Sequence, residues 1–197
     1  MTPTIVWITL TFVGFAVIHS LTAGKSFADR LKRSVPARVV DGWYRLAYNA
    51  LSLLTFAPVL AVAVLMPDSS LYVVGRPLAL VLRVVQLAAL AGLGWSLWSI
   101  DFWRFAGLRQ AWAYFNGDDL PLRDEPLQQN GVYALMRHPL YVFSLVALWA
   151  NPIGTVSSLV FNICATLYFG IGSQIEERRL TAAYGDDYRH YRRTVRW

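Results

Sequence analysis

Long apolar runs constrain the fold of this chain more than any other feature. Three of them, residues 4–21, 46–66 and 77–100, each have roughly the 20 residues that an α-helix needs to cross the hydrocarbon core of a bilayer. The residues before the first run lack the basic start of a secretory signal, so we expect this run to be a permanent span. The three runs therefore predict membrane-spanning helices rather than a large soluble core.

A fourth apolar run, residues 139–175, is too long for a single crossing. It is interrupted by Asn151-Pro152-Ile153-Gly154, which is typical of a turn, and so predicts a helical hairpin with spans at about 139–150 and 153–175. The sequence thus predicts an all-α fold in a single membrane domain, residues 1–197. That domain is a polytopic bundle of five transmembrane helices with a C-terminal hairpin and a cytoplasmic amphipathic tail.

The composition supports a membrane protein and excludes several other classes. Only 15% of the residues are charged, whereas soluble domains average about 25%. Three histidines and a single cysteine, Cys164, exclude an internal disulfide and provide no convincing zinc ligand set. The chain has no P-loop, no G-x-S-x-G motif and no complete dinucleotide-binding fingerprint. We therefore expect neither a metal nor a soluble nucleotide-binding fold.

The basic residues indicate how the chain is oriented in the membrane. Many of them lie between the first and second runs and after residue 175, whereas Arg76 is the one basic residue between the second and third runs. The positive-inside rule then places the N-terminus outside and the polar segments 101–138 and 176–197 in the cytoplasm. This clustering is typical of a membrane topology signal rather than of nucleic-acid binding.

Reactive side chains stand directly before the fourth apolar run. Pro139 is suited to the first turn of a helix, which makes His138 a candidate N-cap at the positive end of the helix dipole. Arg137 adds a second group that attracts anions. An ordinary basic anchor at the membrane surface is an equally good interpretation of Arg137 alone.

Two acidic residues, Glu176 and Glu177, follow the last apolar run. Acids at the edge of the hydrocarbon are unfavourable unless they are paired. The neighbouring Arg178 and Arg179 would neutralise them in the simplest interpretation. Alternatively, one glutamate accepts hydrogen bonds from a ligand, and a zwitterion such as an amino acid would then suit both ends of the hairpin.

Several other polar or small residues have competing interpretations. His19 lies late in the first span, where a structural role is as reasonable as a role in a site. Gly92 and Gly94 predict close helix packing. In the tail, Tyr184, Tyr188 and Tyr191 have helical spacing. That spacing favours an interfacial anchor, and tyrosine hydroxyls that line a site are the alternative.

Two motifs resemble a known family. Residues 131–141, GVYALMRHPLY, followed after the hairpin by residues 176–193, EERRLTAAYGDDYRHYRR, resemble the C-terminal signature of the isoprenylcysteine carboxyl methyltransferase-like superfamily. Its members are integral membrane methyltransferases that use S-adenosyl-L-methionine, and they include phospholipid N-methyltransferases. Residues 19–21, HSL, and 101–112, DFWRFAGLRQAW, are more weakly similar to bacterial members such as methanethiol S-methyltransferases.

The resemblance implies a cofactor site between the hairpin and the tail, with the backbone of residues 131–134 bordering the adenine. The residues that it implies for binding S-adenosyl-L-methionine are Tyr133, His138, Pro139, Tyr141, Glu176 and Glu177. We expect Arg137, Glu176 and Arg109 to act in methyl transfer, and His19 and Arg104 to bind the acceptor. Phe143 departs from the family, which usually has a small residue there, and would narrow the cofactor pocket or reshape a substrate tunnel.

The function expected from these features is transfer of a methyl group to a carboxylate or thiol of a small or lipid-like acceptor. The expected location is a bacterial or archaeal inner membrane, with the lipid bilayer as partner and without nucleic acid. A phospholipid N-methyltransferase and a non-catalytic scaffold or sensor with the same fold are the alternatives. A carrier is less favoured, because the five predicted spans show no inverted repeat.

Overall fold

The computed structural model describes residues 3–196, and most of them are helical. A 3₁₀ turn covers Gly131–Ala134. The elements in chain order are α1 (Pro3–Thr22), α2 (Lys25–Leu31), α3 (Ala37–Leu65), β1 (Ser70–Val73), α4 (Leu78–Trp98), α5 (Phe102–Ala106), α6 (Leu108–Asn116), α7 (Pro139–Trp149), β2 (Ile153–Thr155), α8 (Val156–Tyr184) and α9 (Asp186–Thr194).

The described residues form two compact units. The first unit contains the residues up to Met66 together with Asp101–Glu125, and the second contains Pro67–Ile100 together with the residues from Pro126 onward. Helices α1, α2, α3, α5 and α6 belong to the first unit. Helices α4, α7, α8 and α9 and both strands belong to the second.

Four helices are long and apolar enough to cross a membrane: α1, α3, α4 and α8. Long apolar helices are therefore present at four of the five predicted spans, 4–21, 46–66, 77–100 and 153–175, although α8 begins at Val156. Helix α3 begins at Ala37, before its apolar run. Helix α8 continues to Tyr184, because the residues after its apolar run, EERRLTAA, are mostly good helix formers. Helix α7 has 11 residues and is therefore only about 16 Å long, so the fifth crossing stays a prediction.

The all-α prediction needs a correction at one end of the second unit. Strands β1 and β2 pair antiparallel, with Tyr72 opposite Gly154 and Val73 opposite Ile153. Gly154 is required here, because a Cβ at this position would lie 2.0 Å from the ring of Tyr72. The segment interpreted as a simple turn is therefore partly a strand.

Helices α4 and α7 pack closely through a glycine and a phenylalanine. The buried residues of α4, Ala89, Gly92 and Ser96, lie on one face of the helix. A Cβ on Gly92 would lie 2.6 Å from the ring of Phe143. The close packing predicted for Gly92 is confirmed, and the Phe143 ring contacts α4.

In the first unit, α3 is the helix against which the short helices pack. A Cβ on Gly42 of α3 would lie 2.7 Å from Tyr114 of α6. The turn between α5 and α6 passes equally close at Gly107, whose φ of 90° and backbone neighbours at Leu46 leave no room for a side chain. The Asn49 amide donates hydrogen bonds to the carbonyl oxygens of Phe105 and Ala106, both at 2.9 Å.

Candidate functional site

The start of α7 is built as the sequence predicts. His138 is the N-cap residue and Pro139 occupies the first helical turn, where its missing N–H leaves no intrahelical hydrogen bond unmade. The His138 side chain is 2% exposed. A titratable side chain is thus fixed at the N-terminus of an apolar helix.

Arg137 connects three segments of the second unit. Its Nε and Nη2 atoms donate to Oε1 of Glu177 on α8, at 3.0 and 2.7 Å. Its Nη1 atom donates to the carbonyl oxygens of Arg192 at 3.2 Å and Val195 at 2.7 Å, in the tail. All three guanidinium nitrogens are engaged within the protein, so Arg137 fastens α7, α8 and the tail together.

The two adjacent glutamates have different environments. Glu177 is 15% exposed and contacts Arg137, the Arg192 Nε at 3.4 Å and the His138 Nε2 at 3.3 Å. Glu176 is 45% exposed, and its ion-pair contact within residues 3–196 is with the His138 Nδ1, at 3.5 Å. Arginines do neutralise Glu177, although they are Arg137 and Arg192 rather than the sequence neighbours. Glu176 retains the capacity to accept hydrogen bonds from a ligand.

Three rings stack behind this cluster. Tyr141 lies parallel to the His138 ring, with centroids 5.6 Å apart and an angle of 10°. On its other side it stacks on Phe169 of α8, at 5.0 Å and 13°. The stack limits the orientation of the His138 ring between the two glutamates.

The tyrosines of the tail face the protein. Tyr188 and Tyr191 of α9 are 0% and 3% exposed. The Tyr191 hydroxyl donates to the carbonyl oxygen of Tyr133, at 2.5 Å. This bond ties α9 to the turn before Arg137. Whether the tail also anchors the chain at the interface stays a prediction.

The Tyr188 hydroxyl is buried and has no hydrogen-bond partner in the part of the chain that the structure describes. An unpaired buried polar group costs about 1–3 kcal/mol, so it calls for a physical reason. Burial raises the pKa of Tyr188 to about 12; the negative charge of Glu177 adds to this effect and the positive charge of Arg137 opposes it. Burial also raises the pKa of Tyr133 to about 12, with a contribution from Glu176. Both phenols therefore remain neutral hydrogen-bond donors at physiological pH.

The structure brings together one part of the predicted residue set. The members within the second unit surround the start of α7, namely Tyr133, Arg137, His138, Pro139, Tyr141, Glu176 and Glu177. The other members, His19, Arg104 and Arg109, belong to the first unit.

The first-unit members have partners of their own. The His19 Nε2 lies 2.6 Å from the Tyr48 hydroxyl. The Arg109 Nε lies 3.0 Å from the carboxylate of Asp101, and the Arg104 Nε lies 3.4 Å from that of Glu125.

Sequence reasoning missed two residues of the cluster and undervalued a third. Phe169 lies within an apolar run, where nothing distinguishes a stacking ring from a lipid-facing one. Arg192 follows Tyr191 directly, and its pairing with Glu177 depends on the way α9 folds back after Gly185. The helical spacing of Tyr188 did indicate a common face, but it could not indicate what that face contacts.

The first unit contains a separate cavity of about 890 Å³. It lies between α3, α5, α6 and the segment after α6. We call it the aromatic cavity. Its aromatic and charged lining residues are Trp43, Trp103, Arg104, Arg109, Trp112, Phe115, Asp118 and Arg123.

Comparison with known proteins places part of this chain in a family of methyltransferases. The family model described as "Phospholipid methyltransferase" matches residues 88–187. This range includes the start of α7 and both glutamates. The comparison with solved structures finds no significant match.

Curated relatives extend the similarity along nearly the whole chain. A methanethiol S-methyltransferase of Mycobacterium tuberculosis is 34% identical over 186 residues, which cover 92% of this chain and 72% of the relative. One from Pseudomonas deceptionensis is 31% identical over 191 residues, with 92% and 67% covered. A protein-S-isoprenylcysteine O-methyltransferase of Schizosaccharomyces pombe is 36% identical over 76 residues, with 37% and 32% covered. The chain therefore belongs to the phospholipid methyltransferase family, within the isoprenylcysteine carboxyl methyltransferase-like superfamily, and is a membrane methyltransferase.

Proposed function

We propose that this protein transfers a methyl group from S-adenosyl-L-methionine to the sulfur of a small thiol, at the cytoplasmic face of a bacterial or archaeal inner membrane. The observation that carries the proposal is the cluster at the start of α7, where Glu176 retains acceptor capacity and the buried Tyr188 hydroxyl lacks a partner among residues 3–196. The thiol acceptor is supported by the relatives named methanethiol S-methyltransferase.

The residues of the cluster fit a zwitterionic cofactor. A carboxylate such as Glu176 accepts hydrogen bonds from an ammonium group or a ribose diol, and a neutral phenol such as Tyr188 donates to a carboxylate. His138 lies at the positive end of the α7 dipole, where an anion is favoured. Tyr141 stacks on the His138 ring and holds it in this position. The methionyl part of the cofactor has an ammonium and a carboxylate group, which are complementary to Glu176 and Tyr188.

The backbone before Arg137 forms a tight turn. Gly131 has a φ of 63°, and a Cβ there would lie 3.2 Å from the Ser99 hydroxyl. The turn is held by the hydrogen bond between the Tyr191 hydroxyl and Tyr133. We assign the backbone of residues 131–134 to the border of the adenine.

Arg137 and Glu177 are assigned to positioning rather than to direct catalysis. The guanidinium of Arg137 is engaged on all three nitrogens, and Glu177 is surrounded by Arg137, His138 and Arg192. Neither has a free atom for an acceptor. Their contribution is to hold His138, Glu176 and the tail in one geometry.

When bound, S-adenosyl-L-methionine supplies an electrophilic methyl group on a cationic sulfonium. Methyl transfer needs alignment more than acid–base assistance, and alignment contributes up to about 7–11 kcal/mol of barrier reduction. The acceptor reacts as its thiolate, so the thiol proton has to be lost before the methyl group is transferred to the sulfur. His19, bonded to Tyr48, is the candidate for contact with the acceptor. Arg104 and Arg109 instead line the aromatic cavity, and we propose that they bind an anionic ligand there.

The proposed orientation follows from the second unit. Helix α8 has 29 residues and is about 44 Å long, so its last turns, which contain Glu176 and Glu177, extend beyond a hydrocarbon core of about 30 Å. The arginines after Glu177 favour the cytoplasmic side. His138 lies beside Glu177, whereas β2 lies at the opposite end of α8. Helix α7 and the extended segment after it then make the fifth crossing together, and the N-terminus lies outside.

Binding of S-adenosylhomocysteine to the full chain in mild detergent tests the cofactor proposal. Calorimetry should show micromolar binding by the native protein and a large loss in Glu176→Gln, with Arg178→Gln as a matched control for a charge change beside the site. Methylation of methanethiol, measured with labelled cofactor, tests the acceptor. Absence of binding by the folded native protein would refute the proposed function. Binding without methylation of a thiol, but with methylation of a prenylcysteine carboxylate, would refute the acceptor alone.

A further inference from the structure

The aromatic cavity has a size typical of ligand-binding pockets. Its volume of about 890 Å³ falls within the range of about 300–1,000 Å³ that such pockets occupy. Methanethiol has two non-hydrogen atoms and would fill a small fraction of this space. The cavity is therefore suited to a larger molecule than the thiol acceptor proposed above.

Two of the three helices that line the cavity are too short to cross a membrane. Helices α5 and α6 have 5 and 9 residues, yet their apolar side chains face outward. Trp103, Trp112 and Phe115 are 59%, 69% and 70% exposed. Large exposed aromatic residues on short helices are typical of segments that lie in the membrane interface, where tryptophan is preferred. In this setting the molecules that reach the cavity are lipids.

The charged residues of the cavity favour an anion. Its lining contains three arginines, Arg104, Arg109 and Arg123, and one acid, Asp118. Arg104 and Arg109 are partly neutralised by Glu125 and Asp101. Arg123 is exposed, and within residues 3–196 no carboxylate lies within ion-pairing distance of it. Guanidinium groups bind phosphate through paired hydrogen bonds, so this arrangement is complementary to a phosphate group.

We infer that the aromatic cavity binds one anionic phospholipid, with the phosphate at Arg123 and an acyl chain among the tryptophans. Trp43 of α3 and Trp103 of α5 provide the apolar walls, together with Leu46 and Leu108. Arg104 and Arg109 add positive charge at the same edge. A zwitterionic phospholipid offers the same acyl chains without a net negative charge, so the charge distinguishes the two lipid classes.

This lipid site is independent of the proposed methyl-transfer function. All lining residues belong to the first unit, whereas the cluster around Glu176 and Tyr188 belongs to the second. Loss of lipid selectivity with intact S-adenosylhomocysteine binding would concern the cavity alone. Loss of cofactor binding with intact lipid selectivity would concern the cluster alone.

Native mass spectrometry of the full chain tests the lipid site directly. The protein is released from detergent in the presence of equal amounts of phosphatidylglycerol and phosphatidylcholine of the same chain length, and the retained lipid is identified by mass. The native protein should retain one phosphatidylglycerol in preference, by about tenfold, as expected for one or more charge-assisted hydrogen bonds. Arg123→Gln should reduce this preference to less than about threefold.

Three further variants separate charge, shape and folding. Arg33→Gln removes an exposed arginine of the first unit that does not line the cavity, and should preserve the preference. Arg123→Lys keeps the charge and should retain most of the preference for phosphatidylglycerol. Trp112→Ala should reduce retention of both lipids, because it removes apolar wall. Equal retention of the two lipids by the native protein, or an unchanged preference in Arg123→Gln, would overturn the inference.

Discussion

The cluster at the start of α7 and the aromatic cavity both combine arginines with aromatic rings, but they use them in opposite ways. In the cluster, Arg137 and Glu177 are 9% and 15% exposed, and their polar atoms are engaged within the protein. In the cavity, Arg123 and the rings of Trp103 and Trp112 are exposed. Buried, cross-connected charges hold segments in place, whereas exposed charges are available to ligands. The same residue types thus position a site in one unit and bind at a surface in the other.

The largest expected effect tests whether the buried charges of the cluster hold its segments in place. Arg137→Ala leaves Glu177 and two tail carbonyls without their donor, and breaking a buried ion pair in this way costs about 3–5 kcal/mol. We expect a strongly reduced midpoint of thermal unfolding in detergent and early proteolysis of the tail.

Arg178→Gln is the matched control for Arg137, because it removes an exposed arginine next to Glu177. It should change the unfolding midpoint little. If the two variants were equally stable, Arg137 would not fasten the tail.

The next effect concerns packing within the second unit. Gly92→Ala should destabilise the protein by about 1–3 kcal/mol, because the new methyl group overlaps the rigid ring of Phe143. Phe143→Leu in the same chain should recover part of the loss, with a coupling of at least about 1 kcal/mol in a double-mutant cycle of unfolding free energies.

The Phe143→Leu variant of this cycle also tests whether the Phe143 ring shapes the cofactor pocket. Since its ring contacts Gly92, Phe143→Leu alone should leave S-adenosylhomocysteine affinity unchanged. A large change in affinity would mean that the ring shapes the cofactor pocket, as the departure from the family pattern suggested.

The sequence was informative where short-range chemistry decides the structure. Apolar runs predicted the four long helices, and Pro139 predicted the N-cap at His138. Charged motifs on both sides of one hairpin predicted that His138 and Glu177 would meet, because a hairpin returns its end beside its start.

Features that depend on the three-dimensional path of the chain were not predictable. Strands β1 and β2 have four and three residues, too few for an alternating pattern, and they are defined by each other's backbone. Arg137 donates hydrogen bonds to the backbone carbonyl groups of Arg192 and Val195. Every residue has such a carbonyl group, so the sequence does not indicate which one is the acceptor. Phe143 differed from the family pattern, but its position against Gly92 required knowledge of the packing of α4 on α7.

A smaller effect separates the two adjacent glutamates. Glu176→Gln should lower the affinity for S-adenosylhomocysteine by about tenfold, since one charge-assisted hydrogen bond is weakened, and should leave the unfolding free energy nearly unchanged. Glu177→Gln should instead lower the unfolding free energy, because it leaves Arg137 without its partner. Calorimetry and thermal unfolding on both variants give four numbers. If Glu177→Gln were the variant that lost affinity with its fold intact, the assignment of the two residues would be exchanged.

The smallest expected effect is at Tyr188. Tyr188→Phe removes a hydroxyl that is buried without a partner, so the unliganded protein should be as stable as the native one or more stable by up to about 1 kcal/mol. Affinity for S-adenosylhomocysteine should nevertheless fall by about fivefold, the equivalent of roughly 1 kcal/mol for one hydrogen bond to the ligand. Tyr191→Phe is the matched control, because it loses the bond to Tyr133 and should lower stability instead.

Alkaline pH provides a second measurement on Tyr188 that does not involve the ligand. Its pKa in the folded protein is about 12, against about 10 in an unfolded chain. Below pH 10 the phenol is protonated in both states and contributes no pH dependence. Between pH 10 and 12 the unfolded chain loses the proton first, so stability falls as the pH rises. Tyr188→Phe should flatten this fall. Tyr188→Phe could reduce the loss of stability at alkaline pH and yet leave the ligand affinity unchanged. Tyr188 would then be a buried core residue and not a ligand contact, and the cluster would resemble a closed protein interior more than the open cavity.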